Sequence, residues 1–294
     1  MKKTPLVSVI VNCFNSEETI LRAVTSVLNQ TQPNLEIIVW DNGSTDSTLS
    51  LVSSLNDKRI KLFKNNKTVS LGIARNFAIN QAEGKYTAFC DSDDWWCPEK
   101  LQVQLEILEE SNYSFVCSDF KIIDLINNST STKYKDRKSS VITECDLVKD
   151  YNVGLLTLLT YTESIKKIIR DDSPEYMYIW DFDIVLKLSR EGDGYFIAFI
   201  SAYNTISSST LSVTGRVEAK KELGAWLLSH YEIITQSCPN SIKYINYKIA
   251  QCIGITNSKI HFNYFSLLNV LVIKIYLKVK VKVKVKVNIF NSFL

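Results

Sequence analysis

Short apolar runs alternate with amphipathic stretches over the first 120 residues, and this alternation constrains the fold more than any other feature of the sequence. Apolar runs of about four to eight residues are typical of strands buried on both faces, and apolar residues three and four apart are typical of helices. Predicted strands at 6–11, 35–40, 60–63, 86–90 and 114–118 alternate with predicted helices at 16–30, 45–55, 71–82 and 98–110. This rhythm predicts an α/β protein with a Rossmann-like, mostly parallel central sheet flanked by helices.

The sequence after residue 120 is less regular. Residues 121–150 are polar and weakly periodic, which predicts a loop. A helix at 176–190 and a strand at 195–203 follow, and helices at 215–236 and 242–254 predict a helical C-terminal extension.

Composition and charge exclude several classes of protein. Apolar residues make up 46% of the chain and the net charge is +3, which excludes a disordered protein. Six lysines and no acid lie in 265–294, so the rest of the chain is mildly acidic and we expect no nucleic-acid partner. The seven cysteines include no C-x-x-C pair, which argues against a zinc ribbon and favours a reducing compartment. The sequence contains no run of about 18 apolar residues, so no membrane-spanning helix is predicted.

Polar clusters follow three of the predicted strands. They are Asn12–Asn15, Asp41–Asp46 and Asp91–Asp94. Ligands of doubly wound sheets bind beyond the carboxyl ends of the strands, so these clusters are candidates for one shared site.

Asp91 and Asp93 stand two residues apart directly after a predicted strand. Carboxylates in this position suit Mg²⁺ or Mn²⁺, which are commonly held by one or two carboxylates together with substrate phosphates. The alternative is a solvated acidic turn before the helix at Pro98. Asp41 could bind a base or close an Asx-turn, and Arg75 could face a phosphate or form an ordinary ion pair.

Six segments, taken together, resemble the inverting family-2 glycosyltransferases of the GT-A fold. They are VSVIVNCFN, SVLNQT, EIIVWDNGSTD, LGIARN, AEGKY and DSDDWWCPEKL, in the order and spacing that are typical of the family. The resemblance is specific over residues 5–110. Asn42 stands where the family usually has a second Asp.

The resemblance implies a role for each matching residue. Asp41 would recognise the base, with Phe14 and Asn15 lining the nucleotide pocket. Arg75 would lie near the base or the phosphates. Asp91 would contact the ribose or the metal, and Asp93 would bind the Mn²⁺ or Mg²⁺ that bridges the diphosphate of the donor.

The catalytic base is implied by a weaker match. The segment Ile179–Asp183 resembles the family's E-D-[YF]-D motif with Trp180 in place of Glu, which makes Asp181 the catalytic residue that deprotonates the acceptor. Asp183 is the fallback, with Asp171 and Asp172 as more distant alternatives. Asp181 could also be an acid stabilised by the helix dipole. Tyr203-Asn204-Thr205-Ile206 lacks the basic residues of the family's Y-R-x-H segment.

The function implied is metal-dependent, inverting transfer of one sugar from a nucleoside-diphosphate sugar, with a UDP-sugar favoured. The acceptor would be a hydroxyl of a glycan or a lipid-linked saccharide in bacterial surface-polysaccharide assembly, such as lipopolysaccharide or capsule. The alternative is a catalytically inactive nucleotide-sugar-binding or assembly protein. His230 and His261 lie far apart and are expected to be ordinary helix residues, not a metal pair.

The predicted organisation has three parts. Residues 1–212 form the GT-A domain, with a nucleotide-binding half at 1–120 and an acceptor half at 121–212. A helical C-terminal region follows at 213–264, and 265–294 is an apolar, basic tail. We expect a cytoplasmic protein. The tail would allow peripheral contact with the inner face of the cell membrane, or would be an extension without a role.

Overall fold

A computed structural model of the chain describes residues 6–171, 176–208 and 210–252. The chain divides into two compact units, Met1–Ala219 and Lys220–Leu294. The predicted tail at 265–294, His261 and Asp172 lie outside the described residues.

Ten strands of the described residues form one sheet. They are β1 (Val7–Cys13), β2 (Leu35–Asp41), β3 (Ile60–Lys64), β4 (Tyr86–Phe89), β5 (Trp95–Trp96), β6 (Phe115–Asp124), β7 (Ser129–Thr132), β8 (Ser140–Ile142), β9 (Leu159–Tyr161) and β10 (Gly194–Ile206). The main order is β3-β2-β1-β4-β9-β6-β10-β5, while β7 pairs with β6 and β8 pairs with β10.

The helices of the described residues alternate with these strands in the first half of the chain and cluster at its end. They are α1 (Ile20–Leu28), α2 (Thr48–Ser54), α3 (Leu71–Asn80), α4 (Lys100–Glu110), α5 (Glu144–Lys149), α6 (Thr162–Asp171), α7 (Trp180–Ser189), α8 (Leu211–Thr214), α9 (Arg216–Ser229), α10 (Tyr231–Ser237) and α11 (Ile242–Cys252). No described helix has the length and apolar character needed to cross a membrane.

The sheet is parallel where the sequence alternates most regularly. β1 pairs in parallel with β2 and β4, and β2 pairs in parallel with β3. All seven residues of β1 and of β2 are buried, since helices cover both faces. Beyond β4 the sheet is mixed, because β9 runs antiparallel to both β4 and β6 while β10 runs parallel to β6. The predicted α/β sheet flanked by helices is therefore confirmed.

The prediction of a loop over residues 121–150 is wrong. β6 continues to Asp124 and turns back into β7, while β8 pairs with the start of β10. A capping box between Thr143 and Asp146 starts α5. The polar composition of this segment reflects exposure to solvent, since three of the four residues of β7 are exposed.

Lys100 is a charged side chain inside the core of the first unit. Its ammonium donates to Oε1 of Gln104 at 2.7 Å and lies 4.0 Å from the centre of the Trp96 ring. Burial lowers the pKa of Lys100 from 10.5 to about 7. This lysine is therefore stabilised by one hydrogen bond and one cation–π contact in place of water.

The described part of the second unit is helical, as predicted. Ile234, Ile245 and Ile249 are buried and form its apolar interior. His230 was expected within a helix, but it is the residue between α9 and α10, where its ring stacks on Trp226 at 4.1 Å.

Candidate active site

The polar turns that follow β1, β2 and β4 meet at one edge of the sheet. Cys13 at the end of β1 pairs with Asp41 at the end of β2, so their following turns lie side by side. The main-chain N–H of Asn15 donates to Oγ of Ser44 at 2.9 Å. The hydroxyls of Ser16 and Ser92 lie 2.9 Å apart and join the first turn to the acidic turn. The three clusters predicted to share a site are therefore adjacent.

The helix predicted at 16–30 was expected to start at Ser16, but α1 begins four residues later, at Ile20. The main-chain N–H of Ser16 donates to Oγ1 of Thr48 and its hydroxyl contacts Ser92. These contacts hold Ser16 in the turn, where it joins three elements.

Phe14 and Asn15 form the tip of the turn after β1. Asn15 has a φ of +47°, a left-handed conformation that asparagine tolerates better than most residues. Its Oδ1 accepts from the main-chain N–H of Thr45 at 2.9 Å. The Phe14 side chain is 49% exposed, so its ring is available to a ligand at this edge of the sheet.

Asp41 is fully buried and closes the second turn. Both of its carboxylate oxygens accept from the main-chain N–H of Ser44, at 3.0 and 3.2 Å. Gly43 in this turn has a φ of +92°, which favours glycine. Burial and the charge of Asp41 raise the pKa of the Cys13 thiol to about 12. The carboxylate of Asp41 therefore closes this turn, which is one of the two roles that the sequence predicts for it.

Asn42 has a bonding pattern that explains why it replaces the family's usual Asp. Its amide nitrogen donates to the Val69 carbonyl at 2.9 Å, and its oxygen accepts from the Val69 N–H at 3.1 Å. A carboxylate could accept but not donate, so the amide alone makes both bonds to the segment before α3.

Arg75 on α3 pairs with Asp91 of the acidic turn. One guanidinium nitrogen lies 3.0 Å from Oδ1 of Asp91, and the guanidinium carbon lies 5.3 Å from the centre of the Trp180 ring. The Arg75 side chain is 9% exposed and that of Asp91 is 39% exposed. The carboxylate of Asp91 therefore remains open to a ligand while it is paired.

Asp93 and Asp94 have different surroundings within the same turn. Burial and the charge of Asp91 raise the pKa of Asp93 to about 6, against the opposing charges of Arg22 and Arg75. Asp94 is buried, and its Oδ1 accepts from the Asn204 side chain at 3.0 Å and from the Thr205 main chain at 3.1 Å. Asp94 therefore anchors the turn to β10.

Arg22 is a residue of the site that the motifs do not indicate. Its Nη2 donates to the main-chain carbonyl of Asp93 at 2.7 Å and to Oγ1 of Thr205 at 3.2 Å. Its guanidinium carbon lies 3.9 Å from the centre of the Trp95 ring, and Trp95 stacks on Tyr203. The one signal in the sequence is that Arg22 is the only charged residue of α1.

The first turn of α7 packs against α3. A Cβ at Gly72 would lie 2.8 Å from Cδ1 of Trp180 and 2.3 Å from the Tyr176 carbonyl, so only glycine permits this approach. The Trp180 indole donates to Oδ1 of Asn76 at 3.0 Å. The tryptophan that departs from the family motif is thus buried between the two helices.

Asp181 and Asp183 differ in their availability. Asp181 is half-buried, and its Oδ2 accepts from the Tyr151 hydroxyl at 3.2 Å. Burial raises the pKa of Asp181, while the charge of Arg75 opposes that shift. Asp183 is fully buried and pairs with Lys187 at 2.8 Å. The side chain of Asp171, at the end of α6, is not among those described.

The acidic turn provides a donor set that fits a divalent cation. Asp91 and Asp93 carry hard oxygen ligands, and the negative charge of Asp91 raises the pKa of Asp93. Within residues 6–171, 176–208 and 210–252, no group of three or more His, Cys, Asp or Glu side chains could hold a metal ion. Two carboxylates that lack a third protein ligand suit an ion that takes its other ligands from phosphates and water.

Several known proteins are similar to this chain. The model of the family described as glycosyl transferase family 2 matches residues 8–157. WfgD of Escherichia coli, a UDP-Glc:alpha-D-GlcNAc-diphosphoundecaprenol beta-1,3-glucosyltransferase, is 32% identical over 219 residues, which are 74% of this chain and 83% of WfgD. TuaG of Bacillus subtilis strain 168, provisionally described as a teichuronic acid biosynthesis glycosyltransferase, is 32% identical over 56% of this chain and 65% of its own.

A likeness to solved structures supports the fold. S. aureus TarS 1–349 in complex with UDP has a TM-score of 0.62 and 21% identity, covering 84% of this chain and 70% of that chain. The same TarS fragment has also been solved with UDP-GlcNAc, with a TM-score of 0.62. This likeness confirms the GT-A type of fold.

Proposed function

Since this chain belongs to glycosyl transferase family 2 and is a glycosyltransferase, we propose that it transfers one sugar from a nucleoside-diphosphate sugar to a hydroxyl group, with inversion. The proposed donor is a UDP-sugar, and the proposed acceptor is a glycan or a lipid-linked saccharide. The proposal depends on the convergence of an acidic turn, an arginine and a separate carboxylate at the carboxyl edge of one sheet.

The donor assignment is supported by the site and by the relatives. Phe14, Asn15 and Asp41 lie on adjacent turns, and we propose that these turns hold the nucleoside. Arg75 and the open carboxylate of Asp91 would face the ribose and the diphosphate. TarS binds UDP and UDP-GlcNAc, and WfgD is described as using UDP-Glc.

We propose that Asp91 and Asp93 hold Mn²⁺ or Mg²⁺ when the donor is bound. A divalent cation in this place supplies charge neutralisation for the diphosphate leaving group. The main-chain carbonyl of Asp93 accepts from Arg22 and from the Thr205 hydroxyl, so the turn that carries the carboxylate is fixed from two sides.

The single observation that carries the transfer proposal is the position of Arg75. It pairs directly with Asp91, and its charge also lowers the pKa of Asp181 against burial. The guanidinium carbon also lies 5.3 Å from the ring of Trp180, the neighbour of Asp181, so one cation is close to both the proposed diphosphate site and the helix turn that carries the proposed base. Asp181 would take the proton of the acceptor hydroxyl, whose oxygen then bonds to the anomeric carbon as the bond to the diphosphate breaks. One base and one departing nucleotide give inversion.

The acceptor class is proposed from the relatives. WfgD is described as acting on a sugar linked to diphosphoundecaprenol, and TuaG is assigned to teichuronic acid biosynthesis. We propose the same kind of role here, in the assembly of a bacterial surface polysaccharide at the inner face of the cell membrane. The lysine-rich tail proposed for membrane contact lies outside the described residues.

The test is release of nucleoside diphosphate from a panel of UDP-, dTDP- and GDP-sugars with Mn²⁺ and a lipid-linked GlcNAc-diphosphate acceptor. We expect Asp93→Ala to lose Mn²⁺-dependent UDP binding. We expect Asp181→Asn to bind UDP as the wild type does and to lose transfer. Asp57→Asn is the matched control, because Asp57 pairs with Arg59 before β3, at the opposite edge of the sheet.

Equal Mn²⁺-dependent UDP affinity for the wild type and Asp93→Ala would overturn the metal assignment. Full turnover by Asp181→Asn would move the base to another residue. UDP binding by the wild type with no transfer from any donor would favour the alternative of an inactive nucleotide-sugar-binding protein.

A further inference from the structure

Tyr151, in the segment between α5 and β9, reaches the carboxylate of Asp181. Its hydroxyl donates to Oδ2 of Asp181 at 3.2 Å. Its ring packs edge-on against Phe182, with ring centres 5.4 Å apart and an angle of 81° between the planes. Two contacts to consecutive residues of α7 therefore fix both the phenol ring and the direction of its O–H group.

The surroundings of Tyr151 keep it a hydrogen-bond donor. Burial and the negative charge of Asp181 raise its pKa well above the usual value of 10. The phenol therefore stays protonated throughout the neutral range, and an ionised Asp181 is its acceptor.

We propose that Tyr151 is a positioning residue that orients the carboxylate of Asp181 so that Oδ1 faces the acceptor hydroxyl. This inference rests on the proposed function, in which Asp181 is the base. A carboxylate held through one oxygen presents the other in a fixed direction. A base loses efficiency when that direction varies.

The charged and titratable groups around Asp181 come from several elements. Arg75 approaches from α3 and lowers the pKa of Asp181, and the Tyr151 hydroxyl lowers it as well. Asp183, on the same helix, is paired with Lys187. Tyr134 and Cys117 also raise the pKa of Tyr151. Among these groups, Tyr151 is the one that donates a hydrogen bond to the Asp181 side chain.

Tyr151→Phe removes the hydroxyl and keeps the ring on Phe182. We expect kcat to fall about tenfold, since the lost bond is made to a charged group. We expect the KM for the donor and the affinity for UDP to stay within about twofold of the wild type, since Tyr151 contacts the base and not the nucleotide turns. The acidic limb of the kcat profile should move to higher pH, because the lost hydrogen bond stabilised the ionised carboxylate.

The matched control is Tyr161→Phe. The Tyr161 hydroxyl donates to the Leu108 carbonyl at 3.2 Å, a bond of the same length to a group outside the site. We expect this variant to keep the kcat and the pH profile of the wild type. If Tyr151→Phe does not fold, 3-fluorotyrosine at position 151 replaces it. The fluorinated phenol is a stronger donor, so the acidic limb should then move to lower pH.

The possible outcomes distinguish a failure of this inference from a failure of the proposed function. If the wild type transfers sugar and Asp181→Asn does not, an unchanged kcat and pH profile in Tyr151→Phe overturns the role of Tyr151 alone. A parallel loss of UDP affinity in Tyr151→Phe would assign Tyr151 a merely structural role, which also overturns it. Transfer by Asp181→Asn, or no transfer by the wild type, overturns the base assignment and this inference with it.

Discussion

Arg22 on α1 donates to the main-chain carbonyl of Asp93 at 2.7 Å, although 71 positions separate the two residues in the sequence. The same guanidinium lies on the Trp95 ring, and that ring also stacks on Tyr203. Arg22 thereby joins the helix after β1 to the acidic turn after β4. The position of the turn that carries the proposed metal-binding carboxylate therefore depends on Arg22, a residue that no motif indicates.

We expect Arg22→Met to weaken Mn²⁺-dependent UDP binding by about tenfold, since the turn loses one charge-assisted hydrogen bond and its cation–π contact. Titration calorimetry with UDP and Mn²⁺ measures the change. Arg59→Met is the control, because Arg59 pairs with Asp57 at the opposite edge of the sheet. Equal losses in both variants would show that Arg22 acts through general stability or net charge.

Arg75→Met should lower kcat by about 100-fold, a loss typical of a removed electrostatic contact in an active site. The charge of Arg75 lowers the pKa of both Asp93 and Asp181. Without it both carboxyl groups retain their protons to higher pH, so activity should begin at a higher pH than in the wild type. A pH–rate profile with an unshifted acidic limb would contradict this prediction.

Gly72→Ala should destabilise the protein by about 1–3 kcal/mol, because the new methyl group would overlap the Tyr176 carbonyl and the Trp180 ring. This loss outweighs the roughly 1 kcal/mol that alanine normally gains over glycine inside a helix. Chemical denaturation measures the free energy of unfolding. Gly192→Ala is the control, since a Cβ there meets no atom closer than 3.4 Å. Equal stability of the two variants would exclude the clash.

Lys100 should make the free energy of unfolding rise with pH. Its pKa is about 7 in the folded state and 10.5 when solvated, so between these values the unfolded chain binds more protons. The effect of Lys100 therefore lowers the free energy of unfolding as the pH falls from 10.5 to 7. Below pH 7 Lys100 is protonated in both states and adds no further pH dependence. The slope is at most about 1.4 kcal/mol per pH unit. Denaturation of Lys100→Met and the wild type at several pH values checks this.

The expected result is a smaller slope between pH 7 and 10 in Lys100→Met than in the wild type. Lys64→Met, which removes an exposed lysine at the end of β3, is the matched control. Parallel curves for the wild type and Lys100→Met would mean that the buried ammonium does not titrate in this range.

The first half of the fold was predictable because its signals are local. β1 and β2 are fully buried apolar runs, and their ends are set by the polar turns that follow. Asp41 and Asp91 were expected at the same edge of the sheet because parallel strands place their carboxyl ends together. The roles of the individual site residues are proposals. Two of these residues, Arg75 and Asp91, contact each other directly as an ion pair.

The rest of the site depends on contacts that no local pattern encodes. The donor bond from Tyr151 to Asp181 joins residues 30 positions apart, and Arg22 meets Thr205 across 183 positions. Residues 121–150 were predicted as a loop because exposed strands carry little apolar periodicity. Tertiary pairing decided their structure.

β10 has a consequence for engineering this enzyme. Its residues Asn204 and Thr205 bond to Asp94, and Thr205 also bonds to the carbonyl of Asp93, so a strand of the predicted acceptor half holds the acidic turn of the predicted nucleotide-binding half. Chimeras that graft the acceptor half of a relative onto residues 1–120 would break these bonds unless both sides of them are transplanted together. A shuffled library should therefore carry positions 22, 93, 94, 204 and 205 as one inherited block.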